Sequence, residues 1–100
     1  MANTAKTLYR GNAATSSTTL YTTPAATTAV VTNIAICNTA ATAATATINL
    51  DGTEVLSGIT VGANSTAFLD LKQVLTTTKT ITGLASATTV RFHISGMEIS

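Results

Sequence analysis

Hydrophobic and polar residues alternate along most of this chain, and a repeat of two residues outweighs any repeat of 3.6. Such alternation is typical of β-strands, whose successive side chains point to opposite faces. Turn-forming residues separate the alternating segments at intervals of roughly ten residues, as in antiparallel sandwiches and barrels. The pattern predicts strands at residues 7–10, 20–22, 29–37, 45–50, 53–56 with a continuation over 57–61, 65–71, 81–84 and 89–94.

The strongest predicted strand covers residues 29–37. Strict alternation gives it two faces, the first with Val30, Thr32, Ile34 and Ile36, and the second with Val31, Asn33, Ala35 and Cys37. Because both faces are largely apolar, we expect this strand at the centre of a sheet.

The last predicted strand alternates cleanly. Val90, Phe92 and Ile94 are expected to point inward, and Arg91 and His93 outward. Gly96 is expected to bend the chain before the tail continues this strand, and Gly83 to break the strand at 81–84.

The clearest turn signal is Asp51-Gly52 between two alternating segments. This dipeptide predicts a two-residue hairpin with positive φ. Residues 62–64, ending in Asn64, predict a second turn, and Pro24 closes the strand at 20–22 because it cannot donate to a ladder. Two segments are ambiguous. Residues 38–44 fit a loop or an extended edge, with the extended form preferred, and residues 72–79 fit one helical turn or a wide loop.

These elements predict a single all-β domain, an antiparallel β-sandwich of about eight short strands. A jelly-roll-like and an immunoglobulin-like strand order both fit the pattern. Within the domain, residues 1–18 are expected to form a polar N-terminal strand and arm, and residues 19–100 the sandwich itself. The arm is expected to order against a neighbouring subunit.

Composition supports a protein that packs against other subunits. The chain has 24 threonines and 17 alanines, and only 9% of its residues are charged. Threonine prefers extended backbone and makes a half-polar sheet surface without charge. The net charge is +1 and the charges are scattered, which argues against binding to nucleic acid or to an acidic membrane. The single cysteine excludes an internal disulfide, and the N-terminus lacks a secretory apolar core.

Candidate chemistry is sparse, and we expect no catalytic, metal or cofactor-binding residues. His93 is the only histidine, and no Gly-x-Ser-x-Gly elbow accompanies it. Asp51, Glu54 and Asp70 lack the spacing of a calcium loop. The side chains that we select are therefore candidates for protein interfaces: Tyr9, Tyr21, Arg91 and His93.

Three stretches of the sequence carry a resemblance. They are residues 20–38, with LYTTPA, AVV and ICN runs; residues 59–71, with VGANST and LDL runs; and residues 87–99, which close on FHISGMEI. Together they resemble a widespread set of small bacteriophage virion structural proteins, a β-sandwich family of capsid decoration or tail-associated proteins. Many relatives have a longer hairpin after the central strand, whereas Asp51-Gly52 closes it tightly here.

The resemblance implies a non-enzymatic virion protein, synthesised in the host bacterial cytoplasm and assembled with major capsid or tail proteins. Capsid decoration is favoured over a tail or tail-fibre role because the chain has no heptad segment for a trimeric stalk. We expect a homo-oligomer, a trimer in our interpretation, and no nucleic acid or membrane partner. A host-glycan adhesion module is the alternative of another class.

Overall fold

The computed structural model describes residues 3–100, and all of the regular secondary structure in these residues is β-strand. In chain order the strands are β1 (Asn3–Asn12), β2 (Thr18–Thr22), β3 (Thr28–Asn38), β4 (Ala44–Leu50), β5 (Thr53–Val61), β6 (Thr66–Leu75), β7 (Thr80–Ala85) and β8 (Val90–Ile99). In residues 3–100 no helix could cross a membrane.

The strands form two antiparallel sheets of four. The first sheet has the order β1-β8-β3-β6 and the second has the order β2-β7-β4-β5. The strand pairs are those of one long hairpin, with four strands in each arm, that is folded over on itself: β1/β8, β2/β7, β3/β6 and β4/β5. This is the strand order of a jelly roll. The predicted antiparallel sandwich is confirmed, and its order differs from the immunoglobulin arrangement.

The core lies between the two sheets. Val90, Phe92 and Ile94 are fully buried in it, as alternation along β8 predicted. Phe92 packs against the second sheet at Gly83, where an added Cβ would lie 3.2 Å from the ring. Gly83 therefore leaves room for the Phe92 ring, and β7 runs through it unbroken, contrary to the predicted interruption.

The Asp51-Gly52 hairpin is confirmed. Leu50 pairs with Thr53, and the two residues between them have φ values of 53° and 76°. Positive φ at both central positions is the backbone of the primed turn that matches strand twist. Asn64, in the second predicted turn, also has a positive φ of 51°.

The alternation predicted for β3 is wrong in its first half. Val31 is buried together with Ile34, whereas Val30 is only half-buried. The register of β3 shifts between Val31 and Asn33 against both β6 and β8. Such a shift breaks the period of two, so the side chains before it change face. The central position of β3, between β8 and β6, is confirmed.

The extended form preferred for residues 38–44 is wrong, because β3 ends at Asn38 and residues 39–43 form a loop. Asn38 holds this loop. Its side chain is fully buried, and its Nδ2 donates to the carbonyl oxygens of Thr42 at 2.8 Å, Val61 at 3.2 Å and Gly62 at 3.3 Å. Its Oδ1 accepts from the backbone N–H of Ala40 at 3.1 Å. A single amide thus satisfies polar groups from two loops.

Two further predictions need correction. The helical turn or wide loop at 72–79 is wrong for its first half, because β6 continues to Leu75. Gly96 does not bend the chain, since β8 runs through it to Ile99. An added Cβ at Gly96 would collide with the carbonyl oxygen of Val30, so glycine there permits the close approach of β3 and β8.

The N-terminal strand is longer than the predicted 7–10. β1 covers Asn3–Asn12 and pairs with β8 as one edge of the first sheet. Beyond it, Ala13 is buried and its backbone N–H donates to the carbonyl of Val90 at 2.8 Å. The described part of the expected arm is therefore packed on the sandwich up to this point. Residues 1 and 2 of the arm lie outside the described residues.

Candidate interaction surfaces

The outward face of the first sheet carries its side chains in rows that run across the strands. In one row Arg10, His93, Ala35 and Phe68 lie directly opposite one another on β1, β8, β3 and β6. His93 is half-buried, and its direct cross-strand neighbours are a cation and a methyl group. Neither neighbour could orient the imidazole as an acid–base catalyst requires. The neighbours of His93 are therefore those of an ordinary surface residue of the sheet.

Arg91 lies in the adjacent row, with Asn12, Cys37 and Thr66 opposite in turn. It is exposed, and its Nε donates to Oδ1 of Asn12 at 3.0 Å. This bond fixes the stem of the side chain and leaves the two terminal nitrogens as donors. Arg91 can thus offer hydrogen bonds to a partner at this end of the sheet.

The acidic side chains are dispersed over the fold. Asp51 lies in the β4–β5 turn, 3.8 Å from Nζ of Lys79, whereas Asp70 lies on β6 in the other sheet and accepts from Nδ2 of Asn33 at 3.0 Å. Within residues 3–100 no group of three or more His, Cys, Asp or Glu side chains could hold a metal ion. The described side chains thus supply no cluster from which to argue metal chemistry.

Tyr9 is half-buried on β1. Its hydroxyl donates to the carbonyl of Asn12 at 2.9 Å, and its ring lies over Gly11, where an added Cβ would be 3.1 Å from the hydroxyl oxygen. The bond and the packing hold the ring along its own strand. Tyr9 therefore presents part of one ring face, with its polar end already satisfied.

Tyr21 is buried where β2 of the second sheet approaches β8 of the first. Its hydroxyl donates to Oε2 of Glu98 at 2.5 Å, and Oε1 of Glu98 lies 3.3 Å from Nζ of Lys6 on β1. Burial, followed by the bond to Glu98 and its charge, raises the pKa of Tyr21 above its ordinary value. The bond from Tyr21, followed by Lys6, lowers the pKa of Glu98 despite partial burial. This triad closes one side of the sandwich and leaves Tyr21 little surface for a partner.

The opposite side of the sandwich, between β5 and β6, is open and apolar. Five side chains line this opening, which we call the β5/β6 mouth: Leu56, Ile59, Ala67, Phe68 and Leu69. Ile34 and Ile36 of β3 form its floor. The pocket holds about 90 Å³, well below the 300 Å³ or more that is typical of small-molecule sites. Its size suits one apolar side chain of a protein partner.

The sequence pattern does not single out the two exposed large hydrophobic residues of the described structure. Phe68 is 74% and Val74 62% exposed, and both point outward from β6. One face of residues 66–75 is mostly apolar, whereas the other mixes Phe68 and Val74 with Thr66, Asp70 and Lys72. A mixed face of this kind fits any strand with one solvent-facing side, so the pattern does not show that β6 is an edge.

Between Phe68 and Val74, the outward positions of β6 carry one carboxylate and one ammonium, Asp70 and Lys72. Both also line an open depression at the register shift of β3, with Thr32 and Leu71. The outward row of β6 is therefore apolar at both ends and oppositely charged in the middle.

The mouth and the outward row of β6 are thus two apolar surfaces that residues 3–100 leave open to a partner. Compared with known proteins, the sequence matches no protein-family model and has no significant match among curated proteins.

Proposed function

We propose that this chain is a non-enzymatic structural subunit of a bacteriophage particle, with capsid decoration as its preferred role. The observation that carries the proposal is the open apolar side of the sandwich, where Phe68 is 74% exposed beside half-buried Leu56 and Ile59. Exposed apolar surface of this kind is typical of residues that are covered in an assembly.

Three further features support an assembly role. Only 9% of the residues are charged, which lowers the free-energy cost of removing the surface of the chain from water in an assembly. Its strand order is one that viral capsid proteins also use, although the same fold serves lectins and cupins. The resemblance of residues 20–38, 59–71 and 87–99 to small virion proteins points in the same direction.

Decoration is preferred to a tail role because residues 3–100 contain no stalk or helical trimerisation segment. A decoration subunit would lie over capsomer junctions, and the mouth would receive an apolar side chain of a shell protein. A tail-associated subunit is the alternative within the same class, with the mouth facing a neighbouring tail protein.

A host-glycan adhesion module is the candidate of another class. The observation that favours it is again Phe68, because an exposed ring on a sheet edge can stack on a sugar face. Tyr9 and Tyr21 contribute little to such a site, since both hydroxyls are bonded within the chain. Loss of glycan binding in Phe68→Ala, with the fold retained, would support this candidate.

The deciding experiment is cryo-electron microscopy of purified particles that carry the chain. Density at repeated positions on the icosahedral shell is expected, with the β5/β6 mouth against a shell protein. Density confined to the tail would replace decoration by the tail role. Absence of the chain from purified particles would overturn the virion proposal and leave glycan binding in first place.

A rebinding assay tests the surface itself. Purified chain is added back to particles that lack it, and the bound fraction is measured by sedimentation. Leu56→Ser is expected to reduce binding at least tenfold, whereas Thr60→Ser at an exposed position of the same strand serves as the matched control. Equal binding of both variants would show that the mouth is not the contact surface.

A further inference from the structure

We propose that β6 pairs with β6 of a second copy of this chain, antiparallel and centred on Leu71, to join the two first sheets into one of eight strands. The inference concerns the isolated chain, so it does not depend on where the protein is located in a particle. It names a partner for the ten-residue edge strand β6.

The edge of β6 is available for pairing. β6 is the outermost strand of the first sheet, and β3 is the only strand in residues 3–100 that pairs with it. It is ten residues long, and the backbone groups on its outer side point away from the sheet. An exposed edge of this length is a template for another strand, and such pairing is a recurrent mode of recognition.

The sequence of β6 matches its own reverse around Leu71. A two-fold axis at Leu71 places Asp70 opposite Lys72 of the second copy, one residue from the centre. The same axis places Phe68 opposite Val74 of the second copy, three residues from the centre. Directly opposed residues of antiparallel strands lie on the same face with Cβ atoms about 5 Å apart. The axis therefore creates one ion pair and one apolar pair, each made twice by symmetry.

Other registers lose this match. An axis at Asp70 sets that carboxylate against its own copy and Phe68 against Lys72. An axis at Lys72 sets two ammonium groups together and Asp70 against Val74. An axis between two residues would oppose outward and inward side chains, which the pleat does not allow. Leu71 is thus the centre that pairs every outward residue from 68 to 74 with a suitable partner.

Within residues 3–100, neither the two charged nor the two exposed hydrophobic side chains of this row have an oppositely charged or apolar partner that covers them. Lys72 forms no ion pair with another residue of the range 3–100, and Asp70 has a hydrogen bond only to the neutral Asn33. Phe68 and Val74 are the two exposed large hydrophobic side chains of the described residues. The dimer would cover both of them and would pair both charges.

A competing interpretation is that Lys72 and the register shift protect the edge. Lysine on an edge strand and local irregularity both discourage pairing with other chains. That interpretation explains Lys72 alone, whereas it leaves the placement of Asp70, Phe68 and Val74 around the same centre without a reason. The two interpretations predict different association states.

Analytical ultracentrifugation of the full chain, under reducing conditions so that Cys37 cannot cross-link, tests the dimer. The wild type is expected to sediment as a concentration-dependent dimer. Asp70→Lys and Lys72→Asp each oppose like charges at two symmetric sites, so each should raise the dimer Kd roughly tenfold or more. Glu54→Lys is the control, because it makes the same charge change as Asp70→Lys on the exposed edge strand β5 of the other sheet.

Two complementation measurements separate the interface from a folding defect. An equimolar mixture of Asp70→Lys and Lys72→Asp is expected to recover wild-type affinity, since the opposed charges then differ in sign. The double variant D70K/K72D should dimerise with itself for the same reason, although it too lacks the bond from Asn33. Circular dichroism of each variant checks that the sheet is retained.

A wild type that remains a monomer to millimolar concentration would overturn the proposal and favour the protected edge. Single variants that keep the wild-type Kd, or a trimer that neither charge change weakens, would also overturn it. None of these results bears on particle location, since a monomer could still decorate a capsid. Failure of the dimer and failure of the virion proposal are therefore separate outcomes.

Discussion

The hydroxyl of Tyr21 donates a hydrogen bond of 2.5 Å to the carboxylate of Glu98, and this bond joins the two sheets of the jelly roll. Tyr21 lies on β2 and Glu98 on β8, 77 positions apart in sequence. The side chain of Glu98 is only 15% exposed and also approaches Lys6. The sandwich is thus closed by a polar triad on the β1/β2 side and remains open and apolar on the β5/β6 side.

Replacing Glu98 by glutamine is expected to make the free energy of unfolding less dependent on pH in acid. The bond from Tyr21 and the neighbouring Lys6 lower the folded-state pKa of Glu98 below its ordinary 4.5. The folded state therefore binds its proton less readily than the unfolded state, and the contribution to stability is complete above 4.5 and lost as pH falls through the folded value. The wild type should therefore lose more stability than Glu98→Gln as the pH falls below 4.5.

Urea unfolding at a series of pH values measures this difference. Glu54→Gln, at an exposed position of β5, is the matched control and should keep the wild-type profile. Identical acid slopes for wild type and Glu98→Gln would show that the triad contributes nothing to stability.

Replacing Tyr21 by phenylalanine tests the other end of the same bond. The ring remains to fill its buried position, so the expected loss at neutral pH is about 1.5–3 kcal/mol, the value of a hydrogen bond to a charged acceptor. The folded-state pKa of Tyr21 is raised, so the contribution is complete below 10.0 and lost as pH rises above it. The difference in unfolding free energy between wild type and Tyr21→Phe should therefore narrow in alkaline solution. A difference that is constant with pH would contradict the assigned pKa direction.

Replacing Asn38 by alanine is expected to cost about 3 kcal/mol or more. The buried amide donates to carbonyls of Thr42, Val61 and Gly62 and accepts from the N–H of Ala40, so its loss breaks four hydrogen bonds, of which the one to Val61 is buried. Asn3→Ala, at an exposed position of β1, should change stability by less than about 0.5 kcal/mol. Chemical denaturation of both variants compares the two values, and a similar small loss for both would remove Asn38 as the link between these loops.

The sequence predicted where the eight described strands lie, although not their full lengths, because largely alternating segments are separated by turn residues. It also predicted the Asp51-Gly52 turn, since two adjacent positive φ angles demand particular residues there. These features are local. The pattern of period two carries them without knowledge of which strands are neighbours.

The errors concern relations between distant parts of the chain. No residue type marks the register shift at Val31 and Asn33, which depends on how β6 and β8 pair with β3. The anchoring role of Asn38 is invisible in the sequence, because its acceptors Val61 and Gly62 follow more than twenty positions later.

The candidate surfaces show the same limit. Tyr21 was selected as an exposed aromatic residue, but its burial depends on Glu98 from the opposite end of the chain. Conversely, the outward row of Phe68 and Val74 gains its meaning only when β6 is known to be an edge.

Replacing Gly96 by alanine should destabilise the fold severely, by several kcal/mol, or prevent it from forming. Gly96 pairs with Val31 of β3 and Lys6 of β1, in the middle of the first sheet. An added methyl would collide with the backbone carbonyl of Val30 and would lie 3.0 Å from the buried side chain of Leu8. Because backbone in a central strand cannot move aside without breaking its ladder, the collision has no cheap relief.

Gly62→Ala is the matched control for this substitution. An added Cβ at Gly62 would meet only the side chain of Ser65, at 3.5 Å and beyond, an ordinary contact on an exposed turn. Thermal unfolding should therefore place Gly62→Ala within a few degrees of the wild type and Gly96→Ala far below it. If Gly96→Ala unfolds at the temperature of the control, the close approach of β3 to β8 at this position is wrong, and so is the register that aligns the two strands. That register also sets which outward side chains of the first sheet lie opposite one another, so this measurement also tests the arrangement of the interaction surfaces.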